Sequence, residues 1–261
     1  MTDSVRPARK DLSTREKLIL SGLYLSKYDS VGLKALDFDS FTEAFNAIGY
    51  ALGAKPASVK NYRDELDPLF PNKRKGWHKR STRDYCLEVF ERFKNIDFET
   101  FTGLVGSFFG YDSNTESATP APEHERQWEG SFAQRLITGL AAERYFEEIQ
   151  PTIPEFQGHV VENTTKFGCG YDYRLRSLEG ASEFIAVEVK GLRELTGSIV
   201  MTPKEYQAAS ALRASFFLFV VRNFRETPSH KVFQDPASGA LQFRRAERVT
   251  IQVSWSATIG A

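Results

Sequence analysis

Two short segments of this chain fit together as a β-hairpin in one register, and that register constrains the fold around it. The first reads Gly-Tyr-Asp-Tyr from Gly170, and the second reads Phe-Ile-Ala-Val-Glu-Val-Lys from Phe184. With the turn at Glu179 and Gly180, residues whose numbers sum to about 360 face each other. This pairing predicts a continuous apolar face of Tyr171 with Val189, Tyr173 with Val187, and Leu175 with Ile185. A slip by one residue would turn that face outward, so the hydrophobic pattern specifies the register.

The opposite face of the same hairpin gathers charged side chains. Asp172 is predicted to lie opposite Glu188, with Lys190 one step along on the same side. Two adjacent carboxylates repel each other unless a cation lies between them, and Mg²⁺ prefers oxygen ligands while keeping several waters. Asp172, Glu188 and the main-chain carbonyl of Val189 are therefore predicted to bind Mg²⁺, for which Mn²⁺ is expected to substitute. Lys190 is predicted to orient or activate water, or to stabilise charge on phosphorus.

The alternative is a surface hairpin with a solvated ion-pair ladder, which contributes under about 1 kcal/mol. The sequence after Lys190 favours a cleft. A predicted helix begins at Pro203, and the apolar run Ser215–Val221 is typical of a strand covered on both faces. Strand, helix and buried strand predict a parallel crossover, and charges beneath its helix are costly unless they line a cleft. Lys204 and Tyr206 are candidates to contact a phosphate. The alternative is that they belong to a capped, exposed helix start without such a contact.

The order helix, strand, Asp-bearing strand, Glu-x-Lys strand, helix, strand resembles the PD-(D/E)XK nuclease superfamily. More narrowly, the region from about 128 to 236 is similar to the NO VEIN C-terminal type of domain. The segments that carry this likeness are Phe167–Asp172, Val187–Gly191 and Met201–Tyr206. The resemblance implies Mg²⁺-dependent cleavage of nucleic acid, with Asp172, Glu188 and Lys190 at the central motif positions. Tyr171 stands where the superfamily has proline.

The resemblance also implies a glutamate on the first core helix. Apolar residues at helical spacing predict that helix over Trp128–Ile149. Glu143 fits the role best and Glu129 is the alternative, although a glutamate on an amphipathic helix is commonly just solvated. Glu162, before the glycine-rich turn, is a further candidate to support the metal site.

Composition limits the other function classes. The chain has 34 basic and 34 acidic residues and a formal net charge of zero, so any nucleic-acid affinity must come from local patches. Cys86 and Cys169 are too far apart for a disulfide framework or zinc spacing, which fits a reducing compartment. Residues 1–10 lack an apolar signal core and no run approaches transmembrane length, so we expect a soluble cytoplasmic protein without membrane contact.

A polar, proline-bearing segment, residues 112–126, is predicted to be a linker between domains 1–111 and 127–261. The expected fold is α+β or α/β, with an all-helical, helix-turn-helix-like N-terminal domain. The C-terminal domain is expected to be an αβββαβ restriction-endonuclease-like core with extra strands. Alternating patterns predict those strands at 231–234, 240–243 and 249–255, with a turn over 235–239.

The N-terminal domain is predicted to contain four helices. Ser13 and Ser40 each precede Glu at capping-box spacing, Pro56 opens a third helix, and residues 81–93 form a fourth.

Positive charge in this domain is concentrated in residues 72–83, which contain no acid. Basic residues around Trp77 are predicted to grip phosphates while the indole stacks, and the preceding helix adds side chains able to reach base edges. The alternative is a solvated basic loop with Trp77 tucked into the helical core. The predicted DNA-binding set is Ser58, Lys60, Asn61, Arg63, Lys73, Arg74, Lys75, Trp77, His78, Lys79, Arg80 and Arg83.

These features together predict a Mg²⁺-dependent, restriction-type endonuclease whose N-terminal domain selects duplex DNA. Double-strand cleavage predicts a homodimer, because one such site cuts one strand. A restriction role is also compatible with a cognate methyltransferase as partner. The alternatives are a nucleic-acid-binding or regulatory module that does not cleave, and a repair or RNA-processing nuclease. The complete Asp, Glu and Lys set favours cleavage, and the basic helical segment favours duplex DNA.

Overall fold

The computed structural model describes residues 12–71, 73–74, 76, 80–110, 123–178, 184–239 and 241–247, with backbone alone for 123–132. Its helices are α1 Thr14–Ala35, α2 Phe41–Ala51, α3 Pro56–Leu66, α4 Asp84–Phe93, α5 Phe98–Ser107, α6 Glu123–Ile149 and α7 Pro203–Leu212. Its strands are β1 His159–Asn163, β2 Tyr173–Ser177, β3 Phe184–Gly191, β4 Phe216–Arg222 and β5 Ser229–Gln234. The class is α+β, with helices first and a mixed sheet after them. Within these ranges, no helix is long and apolar enough to cross a membrane.

The four predicted N-terminal helices are present, with two differences in detail. Ser13 forms a complete capping box with Glu16 at the start of α1. Ser40 caps α2 by accepting from the Glu43 N–H, but the Glu43 carboxylate accepts from the Asp39 N–H instead of completing a box with Ser40. Helix α4 begins three residues later than predicted, and α5, capped by Asp97, was not predicted.

The sheet has the strand order β1-β2-β3-β4-β5. Strands β3 and β4 are parallel and the other neighbours are antiparallel, so α7 forms the predicted crossover between parallel strands. Strand β4 is buried over six of its seven residues, as its apolar run predicts. The order from α6 to β4 is the predicted αβββαβ order, and β5 extends the sheet.

The predicted strands beyond β5 have different outcomes. The strand predicted over 240–243 is wrong, because residues 241–247 form no strand. The chain leaves the sheet after Gln234, and Phe243 packs edge-on against Tyr206 instead. The predicted turn over 235–239 is present as a short 3-10 turn. The strand predicted at 249–255 lies outside the described residues.

The β2–β3 hairpin has the predicted register except at its first pair. The confirmed pairs are Tyr173 with Val187 and Leu175 with Ile185. The pair of Tyr171 with Val189 is wrong: the Asp172 N–H donates to the Val187 carbonyl, and the Asp172 carboxylate takes the Val189 N–H. This local bulge turns Tyr171 to the opposite face, where Arg174 donates to its hydroxyl beneath α7.

Helix α6 connects the helical part of the chain to the sheet. It begins at Glu123 rather than at Trp128, so the last four residues of the predicted linker are helical. Residues 112–122 lie outside the described part of the chain. Ile137 packs into the N-terminal helical core, whereas Phe146 packs into the core against the sheet. One helix therefore contributes to both hydrophobic cores.

Candidate active site

Asp172 lies at the bulge, immediately before β2. Its Oδ2 accepts the Val189 N–H at 2.9 Å, so the side chain takes the place of a main-chain partner on β3. A strand residue directs its N–H and C=O towards the same neighbour, so the Val189 carbonyl also faces Asp172. Burial raises the pKa of the Asp172 carboxyl, and the charge of Asp172 in turn raises the pKa of Glu188. The two predicted metal-binding carboxyls therefore converge.

Glu188 and Lys190 lie side by side on β3. Glu188 is 3% exposed, and its Oε1 is 2.5 Å from the Lys190 Nζ. Burial and the charge of Asp172 raise the pKa of Glu188 to about 8. Burial acts to lower the pKa of Lys190, but it is outweighed by Glu188 and Glu205, and that pKa is raised. The ammonium is therefore held in its charged form.

Glu205, on the first turn of α7, is a member of the site that the sequence reasoning missed. Its Oε2 lies 2.7 Å from the Lys190 Nζ, and the same residue forms a capping box with Thr202. The sequence signal was the Thr-x-x-Glu spacing at the start of the predicted helix, to which no role in the site was assigned from the sequence. The cap and the ion pair together fix the start of α7 against β3.

Glu143 reaches the same place from α6. Burial and then the charge of Asp172 raise the pKa of Glu143 to about 7, and Lys190 acts in the opposite direction. The five side chains Glu143, Asp172, Glu188, Lys190 and Glu205 are called the acidic cluster below. In it, Glu188 and Glu205 contact the Lys190 ammonium, and the charge of Lys190 also acts on the pKa values of Asp172 and Glu143.

The donor set suits a hard divalent cation that keeps water ligands. Among the residues that the structure describes, no three His, Cys, Asp or Glu side chains are grouped so as to enclose a metal by themselves. Asp172, Glu188 and the Val189 carbonyl supply three oxygens, and water would complete the shell, as is usual for Mg²⁺. The residues present therefore fit this ion, provided that Lys190 moves away from Glu188.

The other glutamates considered from the sequence are placed differently. Glu162, on β1, lies 3.3 Å from the Arg176 guanidinium and 3.8 Å from that of Arg174. It thus belongs to a cross-strand ion-pair ladder on β1 and β2 rather than to the acidic cluster. Glu129 lies in the part of α6 for which only the backbone is described. The supporting role of Glu143 stays a prediction.

Two arginines of the predicted DNA-binding set are engaged within the helical core. Arg74 lies 2.7 Å from Asp29 and 2.8 Å from Asp67, and Arg83 lies 2.5 Å from the buried Glu65. These ion pairs hold both ends of the basic segment, so a phosphate contact would compete with them.

The rest of that set remains a prediction. Lys60 and Arg63 both pair with Asp64, at 2.7 and 2.9 Å. Exposed or half-exposed positions are occupied by Ser58, Asn61, Lys73 and Arg80. Outside the described residues lie Lys75, Trp77, His78 and Lys79.

Comparison with protein families gives one match. The family described as "Protein NO VEIN, C-terminal" matches residues 142–234, about a third of the chain. The matched segment begins one residue before Glu143 and ends with β5, so it contains the whole acidic cluster. The match confirms the narrower of the two resemblances, and the PD-(D/E)XK assignment stays a prediction. No curated protein and no solved structure matches the chain.

Proposed function

We propose that this protein is a Mg²⁺-dependent endonuclease of restriction type that hydrolyses phosphodiester bonds in duplex DNA. The observation that carries the proposal is the acidic cluster itself. Four carboxyl groups around one ammonium leave repulsion and desolvation that the protein alone does not offset. A divalent cation bound between the carboxylates would relieve the repulsion, whereas a purely structural hairpin has no physical need for such a cluster.

Each residue of the cluster has a role in this proposal. Asp172, Glu188 and the Val189 carbonyl would hold Mg²⁺, which when bound supplies positive charge at the phosphate and lowers the pKa of water. Lys190, released from Glu188 but still held by Glu205, would donate to a phosphate oxygen or to the attacking water. Glu143, whose pKa is raised by burial and then by the charge of Asp172, would support the ion from α6.

The helical part of the chain would select the DNA. Its basic segment lies in a chain of zero net charge, so the attraction for phosphate is local. Cutting both strands would need two active sites, and we therefore propose a homodimer on duplex DNA. Mn²⁺ in place of Mg²⁺ and a cognate methyltransferase belong to the same proposal.

The first test is cleavage of supercoiled plasmid by the full-length protein in Mg²⁺, against an EDTA control. We expect Glu188→Gln to abolish detectable cleavage, because it removes the charge of a metal ligand, and Lys190→Ala to slow cleavage at least about 100-fold, because it removes a positive charge that acts on the reacting phosphate. Glu162→Gln is the matched control, since it removes a carboxylate from the neighbouring ion-pair ladder, and should cut at the wild-type rate. Wild-type cleavage by Lys190→Ala would contradict its assigned role.

A non-cleaving binding or regulatory module is the second candidate, and one observation favours it. Lys190 already forms ion pairs with both Glu188 and Glu205 without a metal ion. Binding of nucleic acid without any Mg²⁺-dependent cleavage would select this candidate. Cleavage of RNA or single strands, but not of duplex DNA, would instead select a repair or RNA-processing nuclease.

A further inference from the structure

An exposed aromatic side chain lies on the turn that precedes Asp172, outside the hydrophobic cores of the described residues. Phe167 is 69% exposed and ends a single 3-10 turn, Thr165–Phe167, between β1 and β2. The chain reverses directly after it through Gly168 and Gly170, whose φ values of 61° and 86° are ones that glycine adopts readily. The turn thus projects the phenyl ring into solvent.

The turn is fixed to Asp172 by main-chain hydrogen bonds. The Phe167 N–H donates to the Thr164 carbonyl at 2.9 Å, and the Thr164 N–H donates to the Asp172 carbonyl at 2.7 Å. Thr164 is fully buried, and its hydroxyl donates to the Tyr171 carbonyl at 3.0 Å. The position of Phe167 is therefore set relative to the predicted metal ligands.

Two lysines flank this turn. Lys166 precedes Phe167, and the Lys204 Nζ lies 3.3 Å from where a side chain on Gly168 would begin. Both lysines are exposed, and in the described part of the chain neither ammonium has a carboxylate at ion-pair distance. An aromatic face between two unneutralised cations is the combination that single-stranded nucleic acid binds, with bases stacked on the ring and phosphates held by the cations.

We propose that Phe167 stacks on an unstacked base next to the scissile phosphate, while Lys166 and Lys204 hold the flanking phosphates. The inference rests on the proposed function in taking nucleic acid as the ligand. Stacking tolerates any base, so the turn positions the strand at the acidic cluster and does not read its sequence. The exposed residue Val160, at 54%, lacks the adjacent lysines and the link to Asp172.

The test measures binding of the full-length protein to fluorescein-labelled single-stranded and duplex DNA of one sequence by fluorescence anisotropy. Ca²⁺ replaces Mg²⁺, so that the acidic cluster is neutralised, and gels verify that the strand is intact. We expect Phe167→Ala to weaken single-strand binding about 10-fold, Phe167→Trp to bind within about twofold of the wild type, and Val160→Ala to bind like the wild type.

Salt dependence separates stacking from charge. The slope of log affinity against log salt should fall by about one for Lys166→Gln and for Lys204→Gln, and stay unchanged for Phe167→Ala. The tryptophan of Phe167→Trp should also lose fluorescence on binding, beyond the change in the wild type. Equal binding by the wild type and Phe167→Ala, or a lack of binding by the wild type, would overturn the inference.

The same measurements distinguish the two proposals. If the wild type cleaves DNA in Mg²⁺ and Phe167→Ala binds normally, the inference fails and the proposed nuclease stands. If Phe167→Ala weakens binding but no Mg²⁺-dependent cleavage occurs, the contact is supported and the nuclease function fails.

Discussion

Lys190 holds two carboxylates at once, Glu188 on its own strand and Glu205 on α7. Asp172, Glu188 and Lys190 were predicted to converge from a strand register alone, because side chains alternate along a strand and one face had to be apolar. Glu205 was not predicted to belong to the site, because it lies on a helix and strand alternation carries no information about it. Its second contact depends on how α7 lies over β3, and the linear sequence does not contain that geometry.

The two roles of Glu205 can be separated by substitution. Glu205→Gln keeps a side chain that can complete the capping box but removes the charge that holds Lys190. We expect the free energy of unfolding of this variant to lie within about 0.5 kcal/mol of the wild-type value. Its plasmid cleavage should be about 10-fold slower, because Lys190 is less well oriented. Urea unfolding and initial cleavage rates measure the two effects.

Thr202→Ala is the matched control for that substitution. It removes the cap hydrogen bond and leaves the Lys190 to Glu205 ion pair, so it should cost about 1 kcal/mol with cleavage nearly unchanged. If Glu205→Gln instead lost stability and kept its cleavage rate, the carboxylate would serve the helix cap alone.

The β2–β3 hairpin shows which features a periodic hydrophobic pattern predicts and which it does not. The pattern predicted the pairing of Tyr173 with Val187, but it placed Tyr171 on the wrong face. A bulge depends on a side chain, Asp172, taking a main-chain hydrogen bond, and hydrophobic alternation carries no signal for that. The glycine pair before Asp172 was visible in the sequence, and its left-handed backbone is what positions the turn.

Substitution of Gly170 tests the structure of this turn through the free energy of unfolding. It has φ of 86°, and a Cβ there would lie 2.7 Å from the Lys204 carbonyl, so Gly170→Ala should cost at least about 2 kcal/mol. Gly139→Ala is the control, because Gly139 lies inside α6 with open space around it, and it should stabilise the protein by about 0.5–1 kcal/mol. Urea unfolding of both variants gives the comparison, and equal stabilities would show that the turn is not constrained as described.

At the scale of the whole molecule, the two parts of the chain are joined more closely than a polar linker suggested. Helix α2 packs on α6, and the Asn46 side chain donates to the carbonyls of Phe224 and Glu226, each at 2.8 Å. The sequence could not reveal this, because the residues that meet are more than a hundred positions apart. The helical part therefore contacts the segments that follow β3 and β4, close to the acidic cluster.

The ion pair between Glu43 and Arg193 is the test of this coupling. Glu43 is fully buried on α2, and Arg193 lies three residues after Lys190, where its guanidinium contacts Glu43 and also lies 3.1 Å from Asp39. Removing one partner of a buried pair leaves the other charge poorly solvated, so Glu43→Gln should cost about 3 kcal/mol, with Asp39 limiting the loss.

A double-mutant cycle shows whether that loss comes from the pair itself. Glu43→Gln combined with Arg193→Met should cost at least about 1 kcal/mol less than the sum of the single losses, whereas the exposed pair Glu91 and Lys94 should show coupling below about 0.5 kcal/mol.

Far-UV circular dichroism in urea should show one transition for the wild type and two for Glu43→Gln, because the helical part then unfolds separately from the sheet. Additive losses with a single transition in every variant would mean that the two parts are held together by the α2 and α6 packing, and that the ion pair does not couple the helical part to the strand carrying Lys190.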